Sequence, residues 1–180
     1  IGTVALLSIP IATATNREQK ILRRYRATPM RPSTYLSADI TVNYFIALAG
    51  MIILVVIGIL IFDLRFGGNL LAVLAGFTLS TLAFMAAGYV LASLAPTSRI
   101  AQVVGQVLLF PMMFLSGAAL PQDLMPESII RLSEFLPLTH VVRLMQDLWF
   151  GVGWNWTAVI VLSIMLVLGV IVAASTFRWE

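Results

Sequence analysis

Few residues of this chain could carry acid–base, nucleophilic or metal chemistry. The 180 residues include no cysteine, which excludes thiol catalysis, disulfides and zinc–thiolate sites. His140 is the only histidine, and without a cysteine or an acid cluster beside it a capping or structural role is expected. The carboxylates of Asp123, Glu127 and Glu134 lie among apolar residues, and nothing in the sequence positions or tunes them for hydrolysis. The sequence therefore does not predict an enzyme.

Membrane-spanning runs dominate the rest of the chain. The sequence is 60% hydrophobic and 11% charged, whereas a soluble domain carries about 25% charged residues. A span needs about 20 apolar residues. Uncharged runs of that length lie at about 40–62, 70–95, 100–120 and 157–177, beside a partial span at 1–14. We predict an all-α fold, a polytopic transmembrane helical bundle in a single domain over 1–180 that begins within a helix.

Basic residues are concentrated in one segment that follows the partial span. Six of the eleven Lys and Arg residues lie there: Arg17, Lys20, Arg23, Arg24, Arg26 and Arg31. Basic residues beside spans mark the cytoplasmic side. With this segment inside, eight basic residues are cytoplasmic and three are outside. The distribution predicts a multi-pass plasma-membrane protein, in a bacterium the inner membrane, and the net charge of +3 reflects topology rather than nucleic-acid binding.

The basic segment has the pattern of a short amphipathic helix over 16–28. Thr15 and Glu18 have the spacing of a capping box. One face of the helix carries three apolar side chains, Ile21, Leu22 and Tyr25. The segment could rest on anionic lipid as a topology signal, or it could dock in a groove of a cytoplasmic protein. In the docked arrangement those apolar side chains anchor the helix, and the polar contacts come from Glu18, Arg23 and Arg24.

Five polar side chains fall in or at the edge of the spans, and two roles are open for them. They are Asp39, Asn43, Tyr44, Gln102 and Gln106. Polar groups at membrane depth join helices through hydrogen bonds, or they line a substrate pathway, and an acid there tends to have a partner. Gln102 and Gln106 are one turn apart and share a helix face.

Close helix packing is predicted where small residues recur at intervals of four. The spacing of Gly88 and Ala92, and that of Ala72, Gly76 and Ser80, lets two helix backbones approach each other. The sequence leaves open whether the packing is within or between subunits.

The segment 121–156 is expected on the outside and is too apolar for an ordinary loop. Its pattern predicts two short helices, the second capped by Thr139 and ended by Gly151. Arg143 and Asp147 have the spacing of a helical ion pair. Both helices are too short to span, so re-entrant or interfacial pieces are expected.

Two motifs about a hundred positions apart resemble those of a known family. One is Ala-Thr-Pro-Met-Arg-Pro-Ser-Thr-Tyr-Leu at 27–36. The other is Leu-Ser-Gly-Ala-Ala-Leu-Pro-Gln-Asp-Leu-Met-Pro-Glu at 115–127, followed by Leu-Pro-Leu-Thr-His at 136–140 and by Arg143. In this order they resemble the ABC-2 type transporter permeases, with the drug-resistance exporter branch the most similar.

The resemblance implies a fold and a mechanism. Such permeases have six spans per subunit, so 1–14 corresponds to the end of the second span. Two permease subunits, identical or different, associate with two ATPase subunits that bind ATP and Mg²⁺. The helix over 16–28 is then the coupling helix, and this chain carries no cofactor of its own. No Gly-x-x-x-x-Gly-Lys-Ser/Thr loop occurs here, so ATP hydrolysis is expected on a separate chain.

The function expected from this resemblance is ATP-driven export of an amphipathic or lipid-like, drug-type compound. The spans are rich in apolar residues and poor in charge, which favours apolar cargo over ions or sugars. Two other classes stay open. A passive or secondary transporter would normally carry charged residues within its spans, and a non-transporting scaffold or sensor could recruit a cytoplasmic partner through the basic segment.

Overall fold

The structure is a computed structural model that describes residues 1–19, 32–62, 66–119 and 125–176. Within these ranges every regular element is helical, which confirms the all-α class. A π-helical turn, Val4–Ser8, leads into α1 (Ile9–Glu18). The remaining helices are α2 (Pro32–Phe62), α3 (Leu70–Leu94), α4 (Ser98–Leu115), α5 (Glu127–Ser133), α6 (Pro137–Trp149) and α7 (Trp156–Thr176).

Four of these helices are long and apolar enough to cross a bilayer. Among the described residues they are Leu36–Phe62, Leu70–Leu94, Ser98–Leu115 and Trp156–Ser175. The chain is therefore a multi-pass membrane protein. The span predicted over 40–62 lies in α2, which starts at Pro32, eight residues earlier than predicted. The span predicted over 100–120 lies in α4, which ends at Leu115.

The capping box predicted at Thr15 is wrong. Helix α1 continues through Thr15 to Glu18, and the Thr15 carbonyl accepts the N–H of Gln19 at 2.9 Å. Thr15 lies inside the last turns of a helix, where the following N–H groups are already bonded and a cap has nothing to satisfy. The first predicted span thus extends four residues beyond position 14. The rest of the predicted helix over 16–28, from Lys20 onward, lies outside the described residues.

Helix α3 forms the centre of the bundle. Half of its most apolar window is buried, against 11% for α2. Its buried side chains include Phe77, Phe84 and Met85, and they pack against the π turn, α1, α6 and α7. Most of α2 instead exposes its apolar side chains, such as Leu54 at 71%. The described chain therefore divides into a packed group around α3 and a loosely attached α2.

Proline and glycine together bring α1 against α3 and α4. Pro10 has no N–H to donate to the Leu6 carbonyl four residues earlier, and the N–H of Ile9 bonds to Val4 instead of Ala5. The carbonyls of Ala5 and Leu6 thus lack their usual α-helical donors. A Cβ on Gly88 of α3 would collide with the Ala5 oxygen, and one on Gly105 of α4 with the Leu6 oxygen. These contacts place the small residues where a Cα–H can approach a carbonyl, as at other helix interfaces.

The two short helices after residue 125 differ in detail from the prediction. Thr139 does not cap α6; Leu136 is the N-cap and Pro137 occupies the first turn, where its missing N–H costs nothing. Gly151 follows the end of α6 with φ +76°, as the predicted stop requires. Helix α6 has 13 residues, about 20 Å at 1.5 Å per residue, and one side of it is buried against α3 and α7.

The ion pair predicted between Arg143 and Asp147 is also wrong. Arg143 pairs with Glu134 at 3.4 Å across the turn between α5 and α6. Asp147 instead accepts the Asn155 side-chain amide at 3.0 Å, and Asn155 Oδ1 accepts the N–H of Ala158 at 3.1 Å at the start of α7. Both side chains at the predicted spacing are engaged by residues that the chain brings back from outside the helix.

We expect Gly88→Ala to destabilise the protein because the new methyl must displace the Ala5 carbonyl in the π turn that leads into α1. Overpacking of this kind costs about 1–3 kcal/mol, so the melting temperature in detergent falls. Gly50→Ala is the matched control, since a Cβ at Gly50 of α2 meets nothing within 4 Å and helix propensity favours Ala by about 0.5–1 kcal/mol. Equal melting temperatures for the two variants would contradict close packing of α1 on α3.

Candidate functional site

Of the residues predicted to couple the chain to an ATPase, Glu18 is described by the structure. Ile21, Leu22, Arg23, Arg24 and Tyr25 lie outside the described residues. The geometry at Glu18 therefore decides how the segment that follows is attached to the bundle.

Arg17 binds the end of α3. Its Nη2 donates to the Ala92 carbonyl at 2.5 Å and its Nη1 to the Ala95 carbonyl at 3.4 Å. These oxygens belong to the C-terminal turn of α3, where carbonyls have no intrahelical donor. A cation there also interacts favourably with the negative end of the helix dipole. Arg17 thus acts as a cap on a helix 75 residues away in sequence.

Glu18 binds the start of α4. Its Oε1 accepts the backbone N–H of Ser98 at 2.8 Å, and its Oε2 accepts the Ser98 hydroxyl at 3.0 Å. Ser98 is the first residue of α4, whose N-cap Thr97 accepts the N–H of Ile100 at 3.3 Å. A carboxylate at a helix N-terminus satisfies a free donor and complements the positive end of the dipole.

Together these contacts form what we call the clasp: Arg17 bonded to the carbonyls of Ala92 and Ala95, and Glu18 bonded to Ser98. Each charge meets the helix end of opposite sign, so the last turn of α1 holds α3 and α4 at once. The π turn that leads into α1 also contacts α3 at Gly88 and α4 at Gly105. The last turn of α1 is thus bonded to both α3 and α4 immediately before the basic residues from Lys20 onward.

Sequence reasoning missed Arg17 as a contact residue and did not consider Ser98. The sequence pattern predicts Arg17 only as a topology-setting charge, and it predicts Glu18 in a local capping box or in contact with a partner protein. Thr97 and Ser98 after Pro96 do signal a helix start in the sequence. No local pattern joins that start to a carboxylate 80 residues earlier.

Two of the predicted polar span residues, Asp39 and Tyr44, hold α2 against α3. Asp39 Oδ2 accepts the hydroxyl of Tyr89 at 2.5 Å, and Asn43 donates to Asp39 Oδ1 at 3.3 Å on the same helix. The hydroxyl of Tyr44 lies 2.8 Å from that of Thr78. Thr78 donates its own proton to the Leu74 carbonyl, so Tyr44 is the donor between the helices. Among the residues that the structure describes, these contacts join helices, which is one of the two predicted roles.

Gln102 and Gln106 are not part of this group. Both lie on α4, where Gln102 is exposed and Gln106 is half-buried. Within the described ranges neither amide forms a hydrogen bond. Their predicted role in the pathway or in helix packing stays a prediction.

His140 has a structural role. Its Nε2 lies 3.0 Å from the carbonyl of Glu134, the residue that ends α5, and its side chain is buried in the turn between α5 and α6. The described residues include no cluster of three or more His, Asp or Glu side chains that could hold a metal ion.

A cleft separates α2 from the packed helices on the side away from the clasp. Its volume is about 540 Å³, and its walls include Ala47 and Met51 of α2, Val73 of α3 and Met145 of α6. The lining is almost wholly apolar. Since sites for small molecules have volumes of about 300–1,000 Å³, this cleft is large enough for an apolar ligand.

These features define a helical, multi-pass membrane protein in which, among the described residues, Arg17 and Glu18 cap the ends of two spans. The family model described as ABC-2 type transporter matches residues 1–150. The chain therefore belongs to the ABC-2 type transporter family.

Two curated relatives carry the name Nodulation protein J. The protein from Rhizobium leguminosarum bv. viciae is 34% identical over 82 residues, which is 46% of this chain and 32% of the relative. The protein from Rhizobium leguminosarum bv. trifolii is 34% identical over 83 residues, with the same shares of each chain. The match therefore spans about a third of the relatives' length. No solved structure is a significant match.

Glu18→Ala is expected to destabilise the start of α4, because the Ser98 N–H loses its acceptor. Loss of a helix cap costs about 1 kcal/mol, and amide hydrogen exchange at Ser98 should accelerate about fivefold or more. Glu127→Ala is the control, since its side chain is 91% exposed in an i,i+4 pair that contributes little. Unchanged exchange at Ser98 in Glu18→Ala would show that the carboxylate does not cap α4.

Proposed function

We propose that this chain is the transmembrane part of an ATP-driven ABC exporter that moves an amphipathic or lipid-like, drug-type compound, with ATP and Mg²⁺ bound on a separate ATPase. The observation that supports coupling is the clasp. It fixes the base of the basic segment to two spans at the point where the family resemblance places a coupling helix. A segment anchored to a single span could swing without moving the others.

The mechanism follows from this anchorage. In this proposal the part of the predicted coupling helix that follows Gln19 sits in a groove of the ATPase. Ile21, Leu22 and Tyr25 are its apolar anchors, and Arg23 and Arg24 make its polar contacts. ATP binding draws the ATPase subunits together and displaces the segment. The clasp then carries the displacement from α1 into α3 and α4, which move as one group. Glu18 acts within the membrane chain, through Ser98, rather than mainly on the ATPase.

Helix α2 provides the surface against which that group can move. It is joined to α3 by the hydrogen bonds of Asp39 and Tyr44, and the described part of α2 packs little elsewhere. Motion of α1 and α3 relative to α2 changes the width of the cleft of about 540 Å³ between them. An apolar cleft that opens and narrows suits an amphipathic cargo. An interface that changes during switching is expected to have few contacts, as the interface between α2 and α3 does.

A second permease subunit, identical or different, completes the pathway in this proposal. The apolar surface of α2 supports an association within the membrane, with lipid covering what the partner leaves free. The resemblance and the positive-inside distribution support a cytoplasmic position for the basic segment, in a bacterium beneath the inner membrane.

The direct test of the proposal is co-purification of the full-length permease with its candidate ATPase, followed by reconstitution in lipid. We expect a stable complex in which ATP hydrolysis drives uptake of an amphipathic fluorescent compound into inside-out vesicles. ATP-independent movement would favour a passive or secondary transporter. A complex without transport of any tested compound would favour a scaffold or sensor, and the absence of any ATPase complex would overturn the ABC assignment.

The variant Ser98→Pro distinguishes two roles of Glu18, the bond to Ser98 in the clasp and a contact with the ATPase. Proline is favoured in the first turn of a helix, so α4 still starts there, but both donors to Glu18 are lost. We expect Ser98→Pro to keep the ATPase bound and hydrolysing while ATP-driven transport falls about tenfold or more, as with Glu18→Ala. Arg24→Ala should instead weaken the complex. Transport at the wild-type rate in Ser98→Pro would contradict transmission through the clasp.

A further inference from the structure

A second cavity lies between α2, α3 and α7, near the clasp end of the bundle. Its volume is about 340 Å³. The walls are apolar side chains from three helices: Leu36, Ile40, Met85, Val170, Ala173 and the ring of Tyr89. The cavity is distinct from the cleft described above, with which it shares no lining residue.

A carboxylate that is not itself part of the lining lies next to residues that are. Asp39 lies between Leu36 and Ile40 on α2, both of which line the cavity, and it accepts the hydroxyl of Tyr89, a third lining residue. Asn43 donates to its other oxygen at 3.3 Å. Two donors thus hold the carboxylate in a fixed orientation. Among the described residues no Lys or Arg forms an ion pair with Asp39.

Among the described residues, no cation accompanies this acid. An acid at the edge of the bilayer is costly without a charged partner, and its two hydrogen-bond donors, Tyr89 and Asn43, are neutral groups. The cavity next to it offers apolar walls and no donor for an anion or a sugar. A ligand that satisfies both features has a positive head and an apolar tail.

We propose that the Asp39 carboxylate and the cavity bind a single-chain amphiphilic cation, with its ammonium at Asp39 and its tail between α2, α3 and α7. The inference rests on the proposed export function and names the cargo class, but the binding itself requires neither ATP nor an ATPase. The Tyr89 hydroxyl links the two parts of the site. A ring without the hydroxyl would leave the carboxylate free to turn away from the cavity mouth.

The probe that tests this site is dodecyltrimethylammonium, compared with dodecyl sulfate of the same chain length. The full permease is placed in nanodiscs of digalactosyldiacylglycerol, a neutral lipid without an ammonium group, and binding to empty discs is subtracted. We expect saturable binding of the cation and none of the anion. Binding of both probes with equal affinity would overturn the proposal, because the cavity would then be an ordinary lipid-facing groove.

Single-residue variants test the two parts of the site, the Asp39 carboxylate and the apolar cavity, separately. Asp39→Asn keeps an acceptor for Tyr89 while removing the charge, and we expect it to weaken cation binding at least about tenfold, equivalent to about 1.4 kcal/mol. Glu127→Gln removes a carboxylate that is 91% exposed beside Arg131 and should leave the affinity unchanged. Equal affinities for wild type and Asp39→Asn would overturn the assignment of the ammonium to Asp39.

Ala174→Leu tests the cavity itself. Ala174 lines the cavity and is exposed, so a larger side chain fills the space without disturbing the core. We expect cation binding to fall about tenfold while the melting temperature is unchanged, and undiminished binding would overturn the placement of the tail. Since these measurements omit the ATPase, their failure would leave the ATP-coupling proposal standing, and failure of ATP coupling would leave the site standing.

Discussion

The contact that organises the described structure is the pairing of two adjacent, opposite charges with two helix ends of opposite sign. Arg17 caps the C-terminus of α3 and Glu18 the N-terminus of α4. Both ends lie in one short turn, so a single turn of α1 bonds to free carbonyl groups of α3 and to a free N–H of α4.

Proline and glycine extend that contact along the membrane. Pro10 removes a donor, the backbone shifts into a π turn, and the carbonyls that lose their usual partners face Gly88 and Gly105. Without a hydrophobic driving force between helices in lipid, such close backbone contact is what holds spans together. Helices α1, α3 and α4 are thereby joined at two levels, whereas α2 is joined to α3 by a few hydrogen bonds. The division between a packed group and a separate helix arises from these few residues.

The spans could be predicted from the sequence because uncharged runs of about 20 residues have few alternatives in a membrane protein. The close packing at Gly88 could be predicted for a similarly local reason, because small residues recur at intervals of four. The partners of the side chains at the helix ends could not be predicted from the sequence. Thr15 and Glu18 have the spacing of a cap, and Arg143 and Asp147 that of an ion pair. Thr15 instead lies inside α1, and the other three side chains bind residues outside their own helices. The clasp joins residues 80 positions apart, and no periodicity in a single sequence records such a contact.

The central claim is that α1 and α4 move together when ATP acts. The chain has no cysteine, so spin labels can be placed at chosen sites, and the exposed positions Gln19, Ala38 and Arg99 suit them. Double electron–electron resonance on the permease–ATPase complex, with and without ATP, measures the distances from 19 to 99 and from 19 to 38. The account predicts a constant distance from 19 to 99 and a changed distance from 19 to 38. A change between 19 and 99 with none between 19 and 38 would contradict it.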